Sequence, residues 1–311
     1  MIISASRRTD IPAYYSEWFV NRIKAGYVLV RNPRNPGQVS KINLTPDVTR
    51  GIVFWTKNPA NMIEHLPRLT HYMYYFQFTL TPYGRDIEPN LPSKVDELLQ
   101  IFNQLSTIIG SNRIIWRYDP ILINEKYTMD YHLRAFETIA KSLSGSAKKV
   151  IISFIDTHYR NVKNNLKVLK LKNFEDEQKV ELIRKLVAIA EDYGFVMESC
   201  SGKIDLQHLG IKPARCIDYR LFEELLGYEL KMSKDKNQRP ECGCMSSIDI
   251  GAYNTCLHGC KYCYANYNQG IVARNYELHD SLSPLLIGDV TDEDKITTRV
   301  ITSFKGSRLM V

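Results

Sequence analysis

The chain of 311 residues carries a formal net charge of +7, and 44% of its residues are hydrophobic. A hydrophobic fraction near the average of globular proteins excludes a disordered or fibrous chain. The sequence contains no apolar run close to the roughly 20 residues that a membrane helix needs. In its first residues, MIISASRRTDIPAYY, a short apolar run precedes the charged residues, whereas a secretory signal has its positive charges first. These features predict a cytoplasmic protein with no membrane partner.

Short β-rich runs alternate with helical patterns over the first two thirds of the chain, which predicts an α/β fold with a parallel sheet. A hairpin is predicted from 27–31 and 39–44, because RNPRNPG between them is rich in turn-forming residues. We expect the sheet to form a partial or complete TIM-like barrel, and the six predicted strands are fewer than the eight of a full barrel. The predicted strands of the sheet are 2–6, 51–56, 72–80, 113–118, 149–155 and 195–200. The predicted helices are 14–24, 59–65, 93–108, 128–143 and 176–193.

Polar side chains follow the ends of these strands, where parallel sheets and barrels place active sites. We expect them to meet in one pocket, although a buried ion-pair network would also explain the charged members. In chain order they are Arg7, Arg8, Asp10, Thr56, Lys57, Asn58, Thr79, Thr81, Arg117, Asp119, Asp156, His158, Glu198 and Cys200.

The segment 233–240, SKDKNQRP, is charged and rich in turn-forming residues. It divides a predicted strand–helix barrel core, 1–232, from a cysteine-rich segment, 233–311, which we expect to complete the same domain. The chain has seven cysteines, and an odd number clustered late in the sequence favours metal or redox chemistry over structural disulfides.

Cys256, Cys260 and Cys263 form a C-x3-C-x2-C motif within AYNTCLHGCKYCYAN. Three thiolates at this spacing can hold three irons of a [4Fe–4S] cluster and leave the fourth iron open, whereas ordinary ferredoxin spacing closes every iron. Two other interpretations stay open. One is a structural zinc site completed by Cys242 or Cys244, and the other is a plain electron-transfer cluster.

This motif, with Tyr262 just before the last cysteine, resembles the signature of the radical SAM superfamily. The phrase AYNTCLHGCKYCYAN is similar to the spore photoproduct lyase branch. The whole chain resembles an uncharacterised bacterial family that shares SRRTDIPA and the ECGC…IDIGAYNTC segment. The superfamily resemblance implies S-adenosylmethionine as cofactor, a 5′-deoxyadenosyl radical, and an electron donor such as a ferredoxin or flavodoxin.

The position of the motif departs from that superfamily, where the cysteine loop follows the first strand. Here only 48 residues follow Cys263. We therefore expect a circularly permuted radical SAM-type core, in which 246–251, SSIDIG, is the strand before the cluster loop. Strand 246–250 should then lie beside strand 2–6, because the ends of a parallel barrel are close in space.

The resemblance also implies contacts to S-adenosylmethionine. The backbone of Tyr262 would contact the adenine, Asp10 would accept from the ammonium group, and a nearby cation would hold the carboxylate. The segment after strand 2–6 has no G-G-E sequence of the kind that the superfamily uses there. The candidate cofactor-binding residues are Tyr262, Asp10, Arg7, Arg8, Lys57 and Arg117.

Four cysteines remain, which is the number that closes an ordinary iron–sulfur cluster or a tetrahedral zinc site. They are candidates for a second metal site, although isolated cysteines also serve as small buried hydrophobes. His258, inside the cluster loop, is expected at solvent or just behind the ligands. The four cysteines are Cys200, Cys216, Cys242 and Cys244.

Taken together, these patterns favour an iron–sulfur enzyme that cleaves S-adenosylmethionine for radical chemistry on an unidentified substrate. The alternative is a non-catalytic metal-binding protein, in which zinc or a closed cluster acts structurally or in electron transfer. A third interpretation, repair of a nucleic-acid lesion, rests only on the lyase-like phrase and the net charge.

Overall fold

The computed structural model describes residues 1–200 and 204–300 and the backbone of 305–308. The end of the predicted 233–311 segment, at 301–304 and 309–311, lies outside the described residues, as does 201–203. The strands are β1 (Ile2–Ala5), β2 (Tyr27–Asn32), β3 (Asn35–Asn43), β4 (Gly51–Thr56), β5 (Tyr74–Thr79), β6 (Ile114–Ile121), β7 (Lys149–Phe154), β8 (Val196–Ser199), β9 (Lys212–Pro213), β10 (Tyr228–Leu230), β11 (Ile248–Asp249), β12 (Lys295–Thr298) and β13 (Lys305–Arg308).

The chain has an α/β fold built on an eight-stranded sheet with the order β11-β1-β4-β5-β6-β7-β8-β9. Every neighbouring pair in this sheet is parallel. Two smaller sheets lie outside it: β2 pairs antiparallel with β3 and β3 pairs parallel with β12, while β10 pairs antiparallel with β13. The predicted parallel sheet and the predicted hairpin are therefore confirmed.

Helices separate most of the parallel strands, as the alternating pattern predicts. The cap residue Thr128 accepts from the N–H of Tyr131, and a capping box joins Glu175 to Gln178 at the start of another helix. The helices are α1 (Ile11–Tyr14), α2 (Ser16–Ala25), α3 (Ala60–Ile63), α4 (Leu99–Ile109), α5 (Met129–Leu143), α6 (Arg160–Asn164), α7 (Leu166–Leu169), α8 (Asp176–Asp192), α9 (Tyr219–Leu226) and α10 (Gln269–Glu277).

Both faces of the parallel sheet are buried. Alternate residues of each strand point to opposite sides, and each side packs against its own apolar layer. Ile52 packs in the larger core with apolar residues of α2, α4, α5 and α8. Its neighbour Val53 packs on the other side with Tyr75 and with Phe222 of α9. The carboxyl ends of the strands are thus held between two apolar layers.

Some elements differ from the sequence-based expectations. The predicted helix 14–24 is two helices, because Asp10 caps the short α1 and Tyr15 leaves helical geometry at φ −135°. The strands β9 and β10 and the helices α9 and α10 were not predicted. Within the described residues the outer strands β11 and β9 are not neighbours in the sheet order, so no closed barrel is seen. No helix of that part of the chain has the length and apolar character needed to cross a membrane.

The strand β11 lies beside β1, although the two are far apart in sequence. Ile3 is opposite Ile248 and Ser4 is opposite Asp249 in a parallel register. This confirms the predicted neighbourhood of 246–250 and 2–6. The segment that carries the C-x3-C-x2-C motif therefore enters at the same sheet edge as the loop after β1.

One carboxylate joins these two segments. Asp249 accepts from the hydroxyls of Ser4 at 2.8 Å and Ser6 at 2.5 Å and from the N–H of Arg7 at 2.8 Å. It also accepts from Arg8, at 3.1 Å from Nε and 3.0 Å from Nη2. Burial raises the pKa of Asp249, but the Arg8 charge and these hydrogen bonds outweigh it and hold the pKa below its ordinary value.

The close approach of the two segments leaves no room for a side chain at Gly251. A Cβ there would lie 2.2 Å from Ser6 Oγ and 2.6 Å from Thr9 Oγ1. We expect Gly251→Ala to lower the free energy of unfolding by about 1–3 kcal/mol, as overpacked sites do. Urea denaturation measures the change. The control is Gly37→Ala, whose Cβ would have its nearest neighbour at 3.9 Å. Equal unfolding free energies for the two variants would contradict the close approach.

Candidate functional site

A cavity of about 750 Å³ lies at the carboxyl edge of the parallel sheet. Most of the predicted strand-end residues line it. Three of them do not line it and have partners elsewhere. Asn58 accepts from the N–H of Ala60 at 3.2 Å, Thr81 donates to Glu88 at 2.7 Å, and Glu198 pairs with Lys149 at 2.9 Å. The predicted residues that line the cavity are Arg7, Arg8, Asp10, Thr56, Lys57, Thr79, Arg117, Asp119, Asp156, His158 and Cys200.

All seven cysteines, each within the described ranges, line this same cavity, and none is in a disulfide. They form two groups. The loop cysteines, which follow β11 and are each half-buried, are Cys256, Cys260 and Cys263. The cysteine quartet, drawn from three separate segments, consists of Cys200, Cys216, Cys242 and Cys244.

Backbone contacts fix the loop that carries the loop cysteines. Asn254, at φ 54°, donates its N–H to the carbonyl of Ala265 at 3.0 Å, and its side chain accepts from the N–H of Tyr267 at 2.8 Å. Asn90 donates its side-chain amide to the carbonyl of Leu257 at 2.7 Å. The loop is therefore held from both ends and from the segment before α4.

His258 joins the cysteine loop to the end of β1. Its Nε2 lies 2.7 Å from Asp10 Oδ2 and its Nδ1 lies 2.8 Å from the Tyr14 hydroxyl. The expected solvent position of His258 is wrong, because the residue is only 3% exposed. Asp10 also accepts from the N–H groups of Lys57 at 2.7 Å and Ala13 at 3.1 Å. Both oxygens of this predicted ligand for an ammonium group thus carry partners within the protein.

Glu88 gathers four polar groups beside the loop. Its side chain is 0% exposed and accepts from Lys57 Nζ at 2.7 Å and Thr81 Oγ1 at 2.7 Å. It also contacts Lys94 Nζ and the hydroxyl of Tyr262. Burial raises the pKa of Glu88, but the two lysines outweigh burial and lower it to about 2. A buried carboxylate therefore holds both Lys57 and Tyr262 in place.

Burial shifts the pKa of all three loop cysteines upward. Burial raises the pKa of Cys260 to about 12, although the charge of Lys57 acts in the opposite direction. Burial also raises the pKa of Cys256 and of Cys263. Metal binding at these residues would displace protons, since the thiolate is the ligand form.

Cys216 is the best-anchored member of the cysteine quartet. Its carbonyl accepts from the Tyr75 hydroxyl at 2.7 Å and from Gln77 Nε2 at 3.1 Å. Its Sγ lies 2.8 Å from Arg117 Nη1 and 3.7 Å from the Sγ of Cys200. The strand residues of β5 and β6 thereby set the position of this thiol.

Cys242 and Cys244 pack in the same cluster as Cys216, and Cys200 packs against that cluster. The interaction with Cys244 lowers the pKa of Cys242 to about 6, although burial opposes it. The four cysteines consequently lie together on the cavity wall.

The three predicted arginines have different surroundings. Arg8 is paired with Asp249 at 3.0 Å, and Arg117 contacts Asp119 as well as Cys216. Arg7 stacks on Trp55 with its guanidinium 5.0 Å from the ring centre. Among the described residues, Arg7 Nη2 is buried with no hydrogen-bond partner. Arg7 therefore has hydrogen-bonding capacity left for a ligand.

Over residues 1–200 and 204–300, no group of three or more His, Cys, Asp or Glu side chains is placed to hold a metal ion. The two cysteine groups line one cavity without that single-ion arrangement.

The family described as Domain of unknown function (DUF1848) matches residues 2–265. The chain belongs to this family. The expected resemblance to an uncharacterised family is thus confirmed, and the DUF1848 match extends from β1 to just past the last loop cysteine. The chain has no significant match among curated proteins or solved structures.

Sequence reasoning missed several residues that build this site. Glu88 lies in GRDIEPN, an irregular loop whose composition indicates only a turn. Asp249 lies in the short strand SSIDIG. Its position between two isoleucines was the feature of the sequence that could have indicated a buried carboxylate. Tyr14 was assigned to a predicted helix without a contact. Each gains its role from a partner distant in sequence.

The buried charge of Glu88 gives a pH-dependent prediction. Because its folded pKa of about 2 lies below the ordinary 4.5, ionised Glu88 stabilises the fold above pH 4.5, and this stabilisation is lost as pH falls toward 2. Between about pH 5 and pH 3, the free energy of unfolding of the wild type should therefore fall more steeply than that of Glu88→Gln. Urea denaturation across this range measures both slopes.

The control is Glu224→Gln at an exposed position of α9, which should keep the wild-type slope. A Glu88→Gln slope equal to that of the wild type would contradict the assigned charge.

Proposed function

We propose that this protein is an iron–sulfur enzyme that holds a [4Fe–4S] cluster through Cys256, Cys260 and Cys263 and uses S-adenosylmethionine for radical chemistry. One observation carries the proposal: the three thiols lie on a loop directly after a strand of a parallel sheet, and all three line a cavity of about 750 Å³ at its carboxyl edge. Parallel α/β folds place active sites at this edge, and ligand pockets commonly have this volume.

The donor set fits such a cluster. Each cysteine of a cluster binds a different iron, so the three sulfurs do not have to meet around one ion. Three protein ligands leave one iron open for the amino and carboxyl groups of S-adenosylmethionine. When bound and reduced, the cluster and this cofactor supply a 5′-deoxyadenosyl radical that abstracts hydrogen from the substrate.

The order of the strands supports a permuted form of the radical SAM core. The strand before the cysteine loop, β11, comes late in the chain but takes its place beside β1. The loop after β1 then corresponds to the one that follows the second strand in the unpermuted order. Residues from both ends of the DUF1848 match would thus form one site within one domain.

Among the candidate cofactor-binding residues, Lys57 and Tyr262 are the ones that we assign to direct contact. Lys57 Nζ lies on the cavity wall and donates to Glu88 at 2.7 Å, which leaves further N–H donors for a carboxylate. Tyr262 is held by Glu88 through its hydroxyl, so its backbone is fixed next to Cys263. The cofactor would lie against the part of the cavity wall that these two residues form.

We assign positioning roles to two others. Asp10 holds His258 and the N–H of Lys57, and Arg8 is committed to Asp249. They set the shape of the pocket without offering it a free group. The reaction would also need a one-electron donor such as a ferredoxin or flavodoxin, and a substrate whose identity depends on the rest of the cavity.

Anaerobic purification followed by iron, sulfide and zinc analysis tests the cluster. The reduced wild type should give an electron paramagnetic resonance signal that changes when S-adenosylmethionine is added. Cys256→Ala/Cys260→Ala/Cys263→Ala should lose this response, and the control Cys242→Ala/Cys244→Ala should keep it. Zinc without sulfide would instead support a structural metal site, and a signal unaffected by S-adenosylmethionine would contradict the assigned cofactor.

A second experiment tests the role of Lys57. Lys57→Met should weaken S-adenosylmethionine binding by about tenfold or more, because a charged hydrogen bond to the carboxylate is lost. Titration of the spectral change gives the dissociation constant. Lys94→Met is the matched control, since Lys94 also pairs with Glu88 but lines a separate smaller cavity. Equal affinities of the two variants would contradict the assignment.

A further inference from the structure

The cysteine quartet is a second concentration of thiols on the cavity wall, apart from the loop cysteines. Cys200 follows β8, Cys216 lies between β9 and α9, and Cys242 and Cys244 lie between β10 and β11. Two members are in contact, with 3.7 Å between the sulfurs of Cys200 and Cys216. Three separate parts of the chain thus supply thiols to one place.

Backbone hydrogen bonds also bring the segments that carry these cysteines together. The N–H of Cys200 donates to the carbonyl of Ile152 at 2.8 Å, which extends the β7–β8 pairing to the cysteine. The N–H of Met245 donates to the carbonyl of Ile217 at 3.1 Å. This last bond ties the residue after Cys244 to the residue after Cys216, so the two segments run side by side.

One guanidinium group contacts the quartet, and a second lines the same cavity. Arg117 Nη1 lies 2.8 Å from Cys216 Sγ, and Arg117 is nine-tenths buried at 7% exposure. Arg7 lines the cavity that the quartet also lines, and its buried Nη2 has no partner within the described residues. Cations and N–H donors in this position offset the negative charge of metal-bound thiolates and tune cluster potential.

The spacing distinguishes between kinds of metal site. In a tetrahedral zinc site the ligand sulfurs are all about 3.8 Å apart. Cys200 and Cys216 meet that distance at 3.7 Å, but in the described part of the chain no third thiol joins them around one ion. Four thiols that pack together without meeting around one ion match a centre that contains more than one metal atom.

We propose that Cys200, Cys216, Cys242 and Cys244 bind an iron–sulfur cluster that is separate from the one at the loop cysteines. This inference goes beyond the proposed function and does not depend on it. Four protein ligands leave no iron open, so the chemistry of this cluster is electron transfer. The shared cavity places it in the same chamber as the loop cysteines.

The test uses Cys256→Ala/Cys260→Ala/Cys263→Ala, which lacks the loop ligands and isolates the quartet. The full-length variant is reconstituted without oxygen with ferrous iron and sulfide, and iron, sulfide and zinc are counted after desalting. We expect about two to four irons per chain with matching sulfide, and a visible absorption band that dithionite bleaches. Adding Cys242→Ala/Cys244→Ala should remove iron, sulfide and the band together.

Circular dichroism and urea denaturation show whether each variant is folded. As a second measurement that leaves all four ligands in place, Arg117→Met in the loop-deficient background should retain the iron and shift the reduction potential of the cluster. Three results would each overturn the proposal. They are zinc without sulfide, no metal in the folded loop-deficient variant, and iron that survives the added Cys242→Ala/Cys244→Ala changes. If S-adenosylmethionine leaves the resonance signal of the wild type unchanged while the loop-deficient variant keeps its iron, only the proposed function is rejected.

Discussion

The carboxylate of Asp249 is the interaction on which the cavity depends. It binds the hydroxyls of Ser4 and Ser6 and the guanidinium of Arg8, and it does so at the point where β11 meets β1. A second contact, between the hydroxyls of Thr9 and Thr255 at 2.7 Å, continues the joint toward the cysteine loop. Together with the contacts of His258 to Asp10 and of Tyr262 to Glu88, this joint fixes the loop cysteines relative to the other strand ends.

Charge compensation explains why so many ionisable groups are buried at one sheet edge. On the side of the loop cysteines, Glu88 is flanked by Lys57 and Lys94. On the side of the quartet, Arg117 contacts the sulfur of Cys216. Both sides therefore combine thiols with neighbouring cations. Buried charges are tolerated only when paired, and a cavity of this kind is suited to anionic centres.

The parallel sheet could be predicted because its strands are buried on both faces and read as continuous apolar runs, such as GIVFWT for β4. The neighbourhood of β11 and β1 followed from the cysteine motif and its resemblance. The burial of His258 and the role of Glu88 could not be predicted, since each depends on partners from distant segments. Likewise β9 has two residues, too few to give a periodic pattern.

The pairing of β11 with β1 has a consequence for the order of events during synthesis. Ser4 and Asp249 are separated by 245 positions, so the ribosome must produce most of the chain before the two can meet. The strands from β4 onward can assemble on one edge of β1 while its other edge stays unpaired until β11 is made. Contacts of such long range form slowly. The cysteine loop emerges only after Asp249. The part of the cavity wall that the loop cysteines form is therefore completed late, on a scaffold that is already largely assembled.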